Sequence, residues 1–350
     1  MQRILPIAAR LRARLLGNPR LFDRASEIIE LAPAVDRMQP AAIALPGEFD
    51  RVVAVQEETT RAIELERLRE STRRHGATIG YRVDNTILGN GTLYFDGGYE
   101  VIRQRSSKRL LNGRQDHFSE AQLCSNYVID RYFGHWLVDG LTLELLAAQR
   151  LLPAIGAANS LWPHEPGYRD LCDLTISRSD NARIDRLWVI DDRGLNDNWI
   201  SRIWELRLRV RSVAKQNGAK AKRVMLVRGT LGSRRNLVNS AEVVEELDRL
   251  GFQIINPESE TPQSIVGKLS EVEMAIAVEG SGQNHCFLAM PRSSTLVTIQ
   301  PPTRFNAHSK MRADAIGINW GFVVADLDPD GFFLPVDRLL RTIDEVVRRT

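Results

Sequence analysis

The second half of the chain alternates short apolar runs with helical segments, and this alternation constrains the fold more than any other feature. The apolar runs predict strands at 187–190, 224–227, 252–255, 274–278 and 296–299. The segments between them predict helices at 199–215, 241–250 and 262–269. Strands and helices that alternate in this way form a parallel sheet with helices on both faces. The sequence therefore predicts an α/β fold for this half.

The first half of the chain has a different pattern. Asn90-Gly91 and Gly97-Gly98 separate short β-type runs and indicate antiparallel hairpins. These strands are predicted at 78–83, 92–95 and 99–102. Helical composition or periodicity predicts helices at 57–75 and 136–150, whereas residues 1–50, which contain several prolines, are expected to be irregular.

The length of 350 residues suits two domains, at about 100–200 residues for each. We place the boundary near residue 195, where the strand–helix alternation becomes regular. This gives an N-terminal domain over 1–195 and a C-terminal domain over 196–350. The last helix, predicted at 336–348, is counted with the second domain, although it could also pack on the first.

The composition excludes several classes of protein. With 43% hydrophobic and 26% charged residues, the chain is neither fibrous nor largely disordered. A net charge of +3, from 47 basic and 44 acidic residues, does not indicate a nucleic-acid partner. Cys124, Cys172 and Cys286 lie far apart without metal-ligand spacing. The sequence therefore predicts no metal site or disulfide framework, and it favours a reducing compartment such as the cytoplasm.

Residues 1–16 form a basic, amphipathic segment. Its arginines are threaded through the apolar residues, which is unlike a signal peptide, and no run reaches the ~18 apolar residues of a membrane span. Arg10, Arg12 and Arg14 could meet anionic lipid while the leucines enter the interface. The alternative is a surface helix or a frayed terminus.

A glycine loop follows the strand predicted at 274–278. In doubly wound sheets, ligands bind at the carboxyl ends of the strands. Glycine lets the backbone approach a phosphate, and the start of the next helix offers N–H groups and a positive dipole end. This loop therefore predicts an anion site, with a plain tight turn as the alternative. Its candidate residues are Glu279, Gly280, Ser281, Gly282 and Asn284.

A second strand–loop–helix junction is rich in arginine. Arg228 ends the preceding strand, and Arg234 and Arg235 lie in the loop after it. Asn239 or Ser240 would cap the next helix. Guanidinium groups suit a diphosphate because each offers bidentate donors. The alternative is a solvated basic loop followed by a helix cap.

His135 and Asp139 are the candidate acid–base pair. Residues four apart near the start of a helix share one face. A histidine beside a carboxylate can remove a proton from a hydroxyl group. The alternative is a cap network in which Trp136 belongs to the core and His135 is a satisfied polar residue.

These segments, in this order, resemble glycosyltransferase family 61, also described as capsular polysaccharide biosynthesis proteins. The resemblance covers roughly residues 116–302. The family's His-Trp motif with a following acidic residue corresponds to 133–139, and its arginine-rich loop corresponds to Arg228, Arg234 and Arg235. The remaining matches are Asn239, Gly251-Phe252, Glu258, Gln263, the loop 280–284 and Phe287. Three departures are Ser240, where the family has Glu, Glu279, where it often has His, and the glycine loop, which is one residue shorter than in the family.

The resemblance implies a GT-B fold, in which two Rossmann-like domains face each other across a cleft. It implies an inverting transfer without a bound metal or cofactor, from a UDP- or GDP-linked sugar to a polysaccharide or lipid-linked glycan acceptor. The N-terminal domain would bind the acceptor and the C-terminal domain the donor. We expect such an enzyme in the cytoplasm or at the inner membrane, acting in surface polysaccharide synthesis.

The resemblance also implies roles for the candidate residues. Asp139, or His135 supported by it, would be the base, and Glu258 or Glu279 would accept from ribose hydroxyls. Two other classes remain. The departures at Ser240 and Glu279 leave room for a non-catalytic nucleotide- or carbohydrate-binding scaffold. An oxidoreductase is disfavoured, because no GxGxxG follows a strand with an acidic residue downstream.

Overall fold

The computed structural model describes residues 5–103, 115–157, 162–214, 221–229 and 235–350. Its helices are α1 Leu5–Leu16, α2 Arg61–Leu68, α3 Tyr127–Arg131, α4 Phe133–His135, α5 Leu141–Gln149, α6 Glu165–Cys172, α7 Asp197–Ala214, α8 Ser240–Arg249, α9 Pro262–Leu269, α10 Asn284–Ala289, α11 His308–Ile316 and α12 Val336–Arg349. Within the described residues, none of these helices has the length and apolar character needed to cross a membrane.

Within these described ranges, the strands belong to two larger sheets and two small ones. In chain order they are β1 Glu27–Ala32, β2 Val35–Gln39, β3 Ser71–His75, β4 Thr78–Gly89, β5 Thr92–Phe95, β6 Gly98–Val101, β7 Asp116–Leu123, β8 Ala154–Ala157, β9 Ser177–Ser179, β10 Asn181–Asp191, β11 Arg223–Leu226, β12 Gln253–Ile255, β13 Met274–Val278, β14 Thr295–Gln300, β15 Asn319–Val324, β16 Asp326–Asp328 and β17 Gly331–Phe333. The chain is thus a mixed α/β protein.

The chain separates into two compact units. The first contains the residues through Val35 and His75–Ile203, and the second contains Asp36–Arg74 and Trp204–Thr350. An early segment of the chain therefore belongs with the second unit, and the chain passes between the units within α7. The domain assignment made from the sequence, 1–195 and 196–350, stays a prediction.

The first unit is built on a mixed sheet with the strand order β6-β5-β4-β10-β7-β8-β9, to which β1 adds by pairing with β4. Strands β4, β5 and β6 are consecutive and antiparallel, which confirms the predicted hairpins. Strand β10 runs antiparallel to β4 and parallel to β7, so that Leu187 lies opposite both Val83 and Ala121. These three side chains belong to the core of this unit.

The second unit is built on a parallel sheet with the order β12-β11-β13-β14-β15. The predicted alternation of strands and helices is confirmed, and β13 and α9 occupy the predicted residues. If these five strands are numbered 1 to 5 along the chain, their side-by-side order in the sheet is 2-1-3-4-5. The second strand is added on one side of β11 and the third on its other side, so the direction of strand addition reverses between β11 and β13. The core packs sheet residues such as Met225, Ile276 and Val297 against Leu247 of α8.

The last helix packs within the second unit. Leu339, Ile343 and Val346 of α12 are buried in the same core cluster as Val297 and Val323 of the sheet. Residues four and three apart on one helix face form a continuous apolar stripe. The sequence shows this stripe, but only the tertiary structure shows that it is buried on this sheet.

Two expectations for the early part of the chain are wrong. The predicted helix at 57–75 is shorter: Thr60 caps α2 by accepting a hydrogen bond from the Ile63 amide at 3.3 Å, and the segment after it becomes β3. The region 1–50 is not irregular, because it contains α1, β1 and β2. Strands β1 and β3 are formed by pairing with β4 and β2, and distant pairing partners leave little trace in a local sequence pattern.

Candidate functional site

The two junctions singled out in the sequence lie at the ends of neighbouring strands. β11 and β13 pair in parallel, with Leu226 opposite Ala277, so the loops that follow them leave the same edge of the sheet. The chain reverses its direction of strand addition between these two strands. In open α/β sheets, this reversal opens a crevice at the carboxyl ends of the strands, where ligands bind. Arg228, which follows β11, and the glycine loop, which follows β13, therefore flank one potential binding crevice.

Three guanidinium groups converge on Glu279, the residue that follows β13. Its carboxylate oxygen Oε2 lies 2.8 Å from Nε of Arg235 and 3.5 Å from Nη1 of Arg304. Its carbonyl oxygen lies 3.5 Å from Nη1 of Arg228 and 3.4 Å from Nη1 of Arg235. The structure thus brings together three of the predicted site residues, Arg228, Arg235 and Glu279, and adds Arg304, which the sequence reasoning missed.

Gly280 lets these guanidiniums approach the backbone. Its φ of +143° and ψ of −173° fall in a region that is essentially restricted to glycine. A Cβ atom at this position would lie 2.3 Å from Nη1 of Arg228 and 2.6 Å from Nη1 of Arg235. The space that a side chain would fill is therefore occupied by cationic groups. This is the chemical environment that an anion requires.

The charge balance of this cluster is positive. Burial lowers the pKa of Arg228, and Arg304 lowers it further, while Glu279 and Glu258 act in the opposite direction. A guanidinium stays protonated in proteins under such influences. Three guanidiniums facing two carboxylates leave a formal excess of one positive charge among the described residues (3 − 2 = 1). Arg234, also predicted here, lies outside the described residues.

Glu258 lies at the end of the strand next to β11. It belongs to a single 3₁₀ turn, Pro257–Ser259, that follows β12. A Cβ on Gly229 would lie 2.1 Å from the Glu258 carboxylate, so this carboxylate is packed against the backbone next to Arg228. The side chain is otherwise exposed. Its position beside the arginine cluster suits a group that accepts hydrogen bonds from a ligand.

The rest of the glycine loop is held by buried polar side chains. Asn284 donates through Nδ2 to the carbonyl oxygen of Ser281 at 3.0 Å, and its Oδ1 accepts from Nη1 of Arg312 at 3.1 Å. Thr298 donates to Oε1 of Gln283 at 3.0 Å. These bonds fix the loop. The helix that follows, α10, has only six residues, so its dipole adds less than the sequence interpretation expected.

Asn239 serves the structure of the second unit. Its Nδ2 donates to the carbonyl oxygen of Leu334 and to Oε2 of Glu242, both at 2.9 Å. Its Oδ1 accepts from the Leu334 amide at 3.1 Å. The predicted side-chain cap of α8 is therefore wrong: Asn239 precedes the helix, but its oxygen bonds the segment before α12. A ligand contact for Asn239 stays a prediction.

The His135–Asp139 pair lies in the first unit. Nδ1 of His135 and Oδ2 of Asp139 are 2.7 Å apart, and both side chains are half-buried. The predicted helix at 136–150 is interrupted here, because Trp136–Gly140 forms a π-helical turn before α5 begins. Such turns occur often at functional sites, since they redirect one side chain within a helix. The bond fixes the orientation of the imidazole ring.

A buried ion pair supports the segment that carries Asp139. Thr142 Oγ1 donates to the carbonyl oxygen of Asp139 at 2.9 Å. The Thr142 carbonyl accepts from Nη1 of Arg202 at 2.8 Å, and Nη2 of Arg202 lies 2.8 Å from both Asp192 oxygens. Burial raises the pKa of Asp192, although the pair with Arg202 counteracts this shift.

Aromatic rings surround the same turn. The Tyr132 ring lies 6.0 Å from that of His135, and Phe133 lies 5.8 Å from Trp136 and His164 and 6.1 Å from Trp162. Aromatic faces are large apolar surfaces that are also suited to polar partners at their edges.

Among the described residues, no group of three or more His, Cys, Asp or Glu side chains has the arrangement of a metal site.

Arg304 and Arg312 are the site residues that the sequence reasoning missed. Arg304 follows β14 by four residues, and the rule that drew attention to Arg228 applies equally to this strand end. Pro301 and Pro302 follow this strand, and no helix begins directly after it. The segment therefore lacks the strand–loop–helix pattern that marked the other two junctions. Arg312 had no local signal, since it lies on α11 and reaches Asn284 only in the folded chain.

One family model covers both the His135–Asp139 pair and most of the arginine cluster. Residues 133–297 match the family model described as Glycosyltransferase 61, whereas no curated protein matches the chain. The matched segment begins two residues before His135 and contains Arg228, Arg235 and Glu279. Arg304 lies beyond it. This match supports the resemblance to glycosyltransferase family 61 and suggests glycosyltransferase activity.

Proposed function

We propose that this protein is an inverting glycosyltransferase that moves a sugar from a UDP- or GDP-linked donor to a polysaccharide or lipid-linked glycan in surface polysaccharide synthesis. The observation that carries the proposal is the convergence of Arg228, Arg235 and Arg304 at the strand reversal of a parallel sheet. The GT-B arrangement implied by the family resemblance is part of the proposal.

The guanidinium cluster suits the leaving group of this reaction. When the bond between the sugar C1 and the phosphate oxygen breaks, the nucleoside diphosphate departs with the electron pair. Arg228 and Arg235 donate charged hydrogen bonds that become stronger as negative charge develops. Because these arginines supply positive charge, we propose that the transfer does not depend on a metal ion. The nucleotide sugar is a substrate and no cofactor is involved.

His135 and Asp139 suit the activation of the acceptor. If Nδ1 of His135 donates to Asp139, then Nε2 is the basic nitrogen of the ring. It would take the proton of the acceptor hydroxyl while that oxygen attacks C1 from the face opposite the phosphate. Asp139 would orient the ring and stabilise its charged form. Asp139 acting directly as the base is the alternative.

Glu258 is the better of the two predicted ribose contacts. The Glu279 side chain is 10% exposed, whereas Glu258 is exposed beside Arg228, so a ligand can reach its carboxylate from solvent. A carboxylate in this position can accept hydrogen bonds from both ribose hydroxyls. We therefore assign this role to Glu258 rather than to Glu279.

The test uses binding and turnover in the same preparation. Thermal unfolding is followed with UDP, GDP, CMP, ADP and dTDP, for the natural chain and for Arg228→Ala. A ligand at about 100 times its Kd adds roughly 2.7 kcal/mol of stability. We expect one nucleotide to raise Tm and Arg228→Ala to abolish the shift. The absence of a shift with every nucleotide would contradict the donor site.

Asp139→Asn separates the enzyme from a scaffold. This change leaves the nucleotide site intact, so the thermal shift should persist. Transfer from the nucleotide sugar that binds should fall by about 10²–10⁴-fold, since the base loses its orienting carboxylate or is itself removed. If Asp139→Asn transfers sugar as fast as the natural chain, Asp139 has no part in the mechanism. Nucleotide binding without any turnover in the natural chain would favour the scaffold function.

We further propose that α1 contacts the membrane surface. Ile7, Leu11 and Leu15 lie four residues apart and are 63%, 57% and 80% exposed. Arg10 and Arg12 are instead directed to the hairpin of the first unit, where Arg10 bonds Tyr94 at 2.6 Å and Arg12 pairs with an aspartate. The apolar row, more than the arginines, would therefore carry the contact.

This contact is tested by vesicle sedimentation. Leu15→Asp should reduce binding to phosphatidylcholine vesicles with or without phosphatidylglycerol, because it removes about 1.5–3 kcal/mol of apolar burial. Leu151→Asp is the matched control, since Leu151 is 91% exposed outside this helix. Equal binding of the natural chain and Leu15→Asp would contradict the proposal.

A further inference from the structure

Arg304 lies on a loop that is held in place from both sides. Its amide donates to the carbonyl oxygen of Pro301 at 3.4 Å, and the next amide, that of Phe305, donates to the carbonyl oxygen of Ala54 at 3.0 Å. Gln300 closes the loop by bonding both the amide and the carbonyl group of Asn306. The position of the Arg304 backbone is thus fixed before any ligand binds.

The Arg304 side chain contacts the buried Glu279 carboxylate and is also partly exposed to solvent. It is 38% exposed, whereas the side chains of Glu279 and Arg235 are 10% and 12% exposed. β14, which leads to Arg304, pairs with β13, which leads to Glu279. Arg304 therefore lies at the same sheet edge as the arginine junction, on its solvent side.

Glu279 is the anionic group at the centre of this arrangement. Three guanidiniums close together repel one another, and a carboxylate among them offsets this repulsion. The carboxylate also takes up donors that a bound anion would use. A diphosphate that enters the cluster competes directly with the Glu279 side chain for Arg235 and Arg304.

We propose that Arg304 is a third diphosphate-binding guanidinium of this site and that Glu279 is its internal counter-ion, displaced from the guanidiniums when the diphosphate binds. This inference rests on the proposed donor site. As a counter-ion, Glu279 lowers the affinity for the ligand, whereas a ribose contact would raise it. Loss of a ribose contact would weaken nucleotide binding, whereas loss of a competing counter-ion strengthens the binding of the diphosphate.

The experiment measures the affinity of the full chain for inorganic pyrophosphate by isothermal titration calorimetry. The variants are Arg304→Ala, Arg304→Lys, Glu279→Gln and the control Arg209→Ala. Arg209 is 33% exposed and pairs with Glu205 on α7, so it matches Arg304 in exposure and charge. Thermal unfolding of each variant verifies that it is folded.

We expect Arg304→Ala to raise the Kd for pyrophosphate about tenfold, because one charge-assisted hydrogen bond is lost at a partly exposed position. The Kd of Arg304→Lys should lie between those of the natural chain and Arg304→Ala, since lysine keeps the positive charge but not the forked donors of a guanidinium. Glu279→Gln should lower the Kd severalfold, and Arg209→Ala should match the natural chain.

The outcomes separate this inference from the proposed function. A natural chain that binds neither pyrophosphate nor any nucleotide overturns both. A natural chain that binds pyrophosphate with the same Kd as Arg304→Ala overturns the role of Arg304 and leaves the donor site standing. Weaker binding by Glu279→Gln overturns the role of Glu279 as a counter-ion, and Arg304→Ala then still tests Arg304 independently.

Discussion

Gly280→Ala is the smallest change that tests the arrangement of the anion site. The substitution adds one carbon atom where φ is +143° and ψ is −173°. The new Cβ would lie 2.3 Å from Nη1 of Arg228 and 2.6 Å from Nη1 of Arg235. Because carbon and nitrogen atoms pack at about 3.5 Å, both guanidiniums would have to retreat by about 1 Å.

The expected magnitudes follow from two separate terms. Holding alanine in a backbone region reserved for glycine costs about 1–3 kcal/mol of unfolding free energy. The clash itself adds little to this cost, because the ends of arginine side chains can move. For ligand binding, the same movement is costly. Misplacing one charge-assisted hydrogen bond weakens binding by about 1.5–3 kcal/mol, which is at least about tenfold in Kd.

The assay combines urea unfolding with pyrophosphate titration. Gly282→Ala is the matched control for stability, since its φ is not positive and an added Cβ meets nothing within 4 Å. We expect Gly280→Ala to lose stability and affinity together while Gly282→Ala keeps the stability of the natural chain. The reasoning is refuted if Gly280→Ala is as stable as Gly282→Ala and binds pyrophosphate as tightly as the natural chain.

Two further predictions concern buried charges in the first unit. Burial raises the pKa of Asp130 to about 6, although Ser125 donates to it at 3.1 Å. The native state therefore binds more protons than the unfolded state between pH ~4 and ~6, so the unfolding free energy should fall by about 1–3 kcal/mol as pH rises through this range. Asp130→Asn should flatten this slope in urea unfolding; an unchanged slope would contradict the assignment. Arg202→Ala should lower the unfolding free energy by about 3–5 kcal/mol, because it leaves the Asp192 carboxylate buried without its charged partner. Arg209→Ala, which breaks a partly exposed ion pair with Glu205, should lose less than about 1 kcal/mol in the same assay, and equal losses would refute the argument.

The regular part of the fold could be predicted because its signals are local. Apolar runs and helical periodicity located β13 and α9 at their observed ends, and glycine-containing turns located the hairpins from β4 to β6. The predicted helix at 57–75 failed for the opposite reason. Its second part becomes β3 by pairing with β2, and a partner more than thirty residues away in the chain does not appear in a local pattern.

The candidate site was predicted in part, because its residues follow strand ends. The rule that ligands bind at the carboxyl ends of parallel strands drew attention to Arg228 and to the loop after β13. It did not reveal that Glu279 pairs with Arg235, or that Arg304 joins them. Those contacts depend on which strands are neighbours.

The sequence by itself determined the alternation of strands and helices, the residue types at each strand end and the four-residue spacing of His135 and Asp139. Backbone propensity and apolar periodicity are properties of short segments, so they can be read locally. Only the tertiary structure decided the strand order that places β11, β13 and β14 side by side, the π turn before α5 and the burial of α12 on the second sheet. These features depend on the free energy of packing between distant segments, and no single segment carries that information.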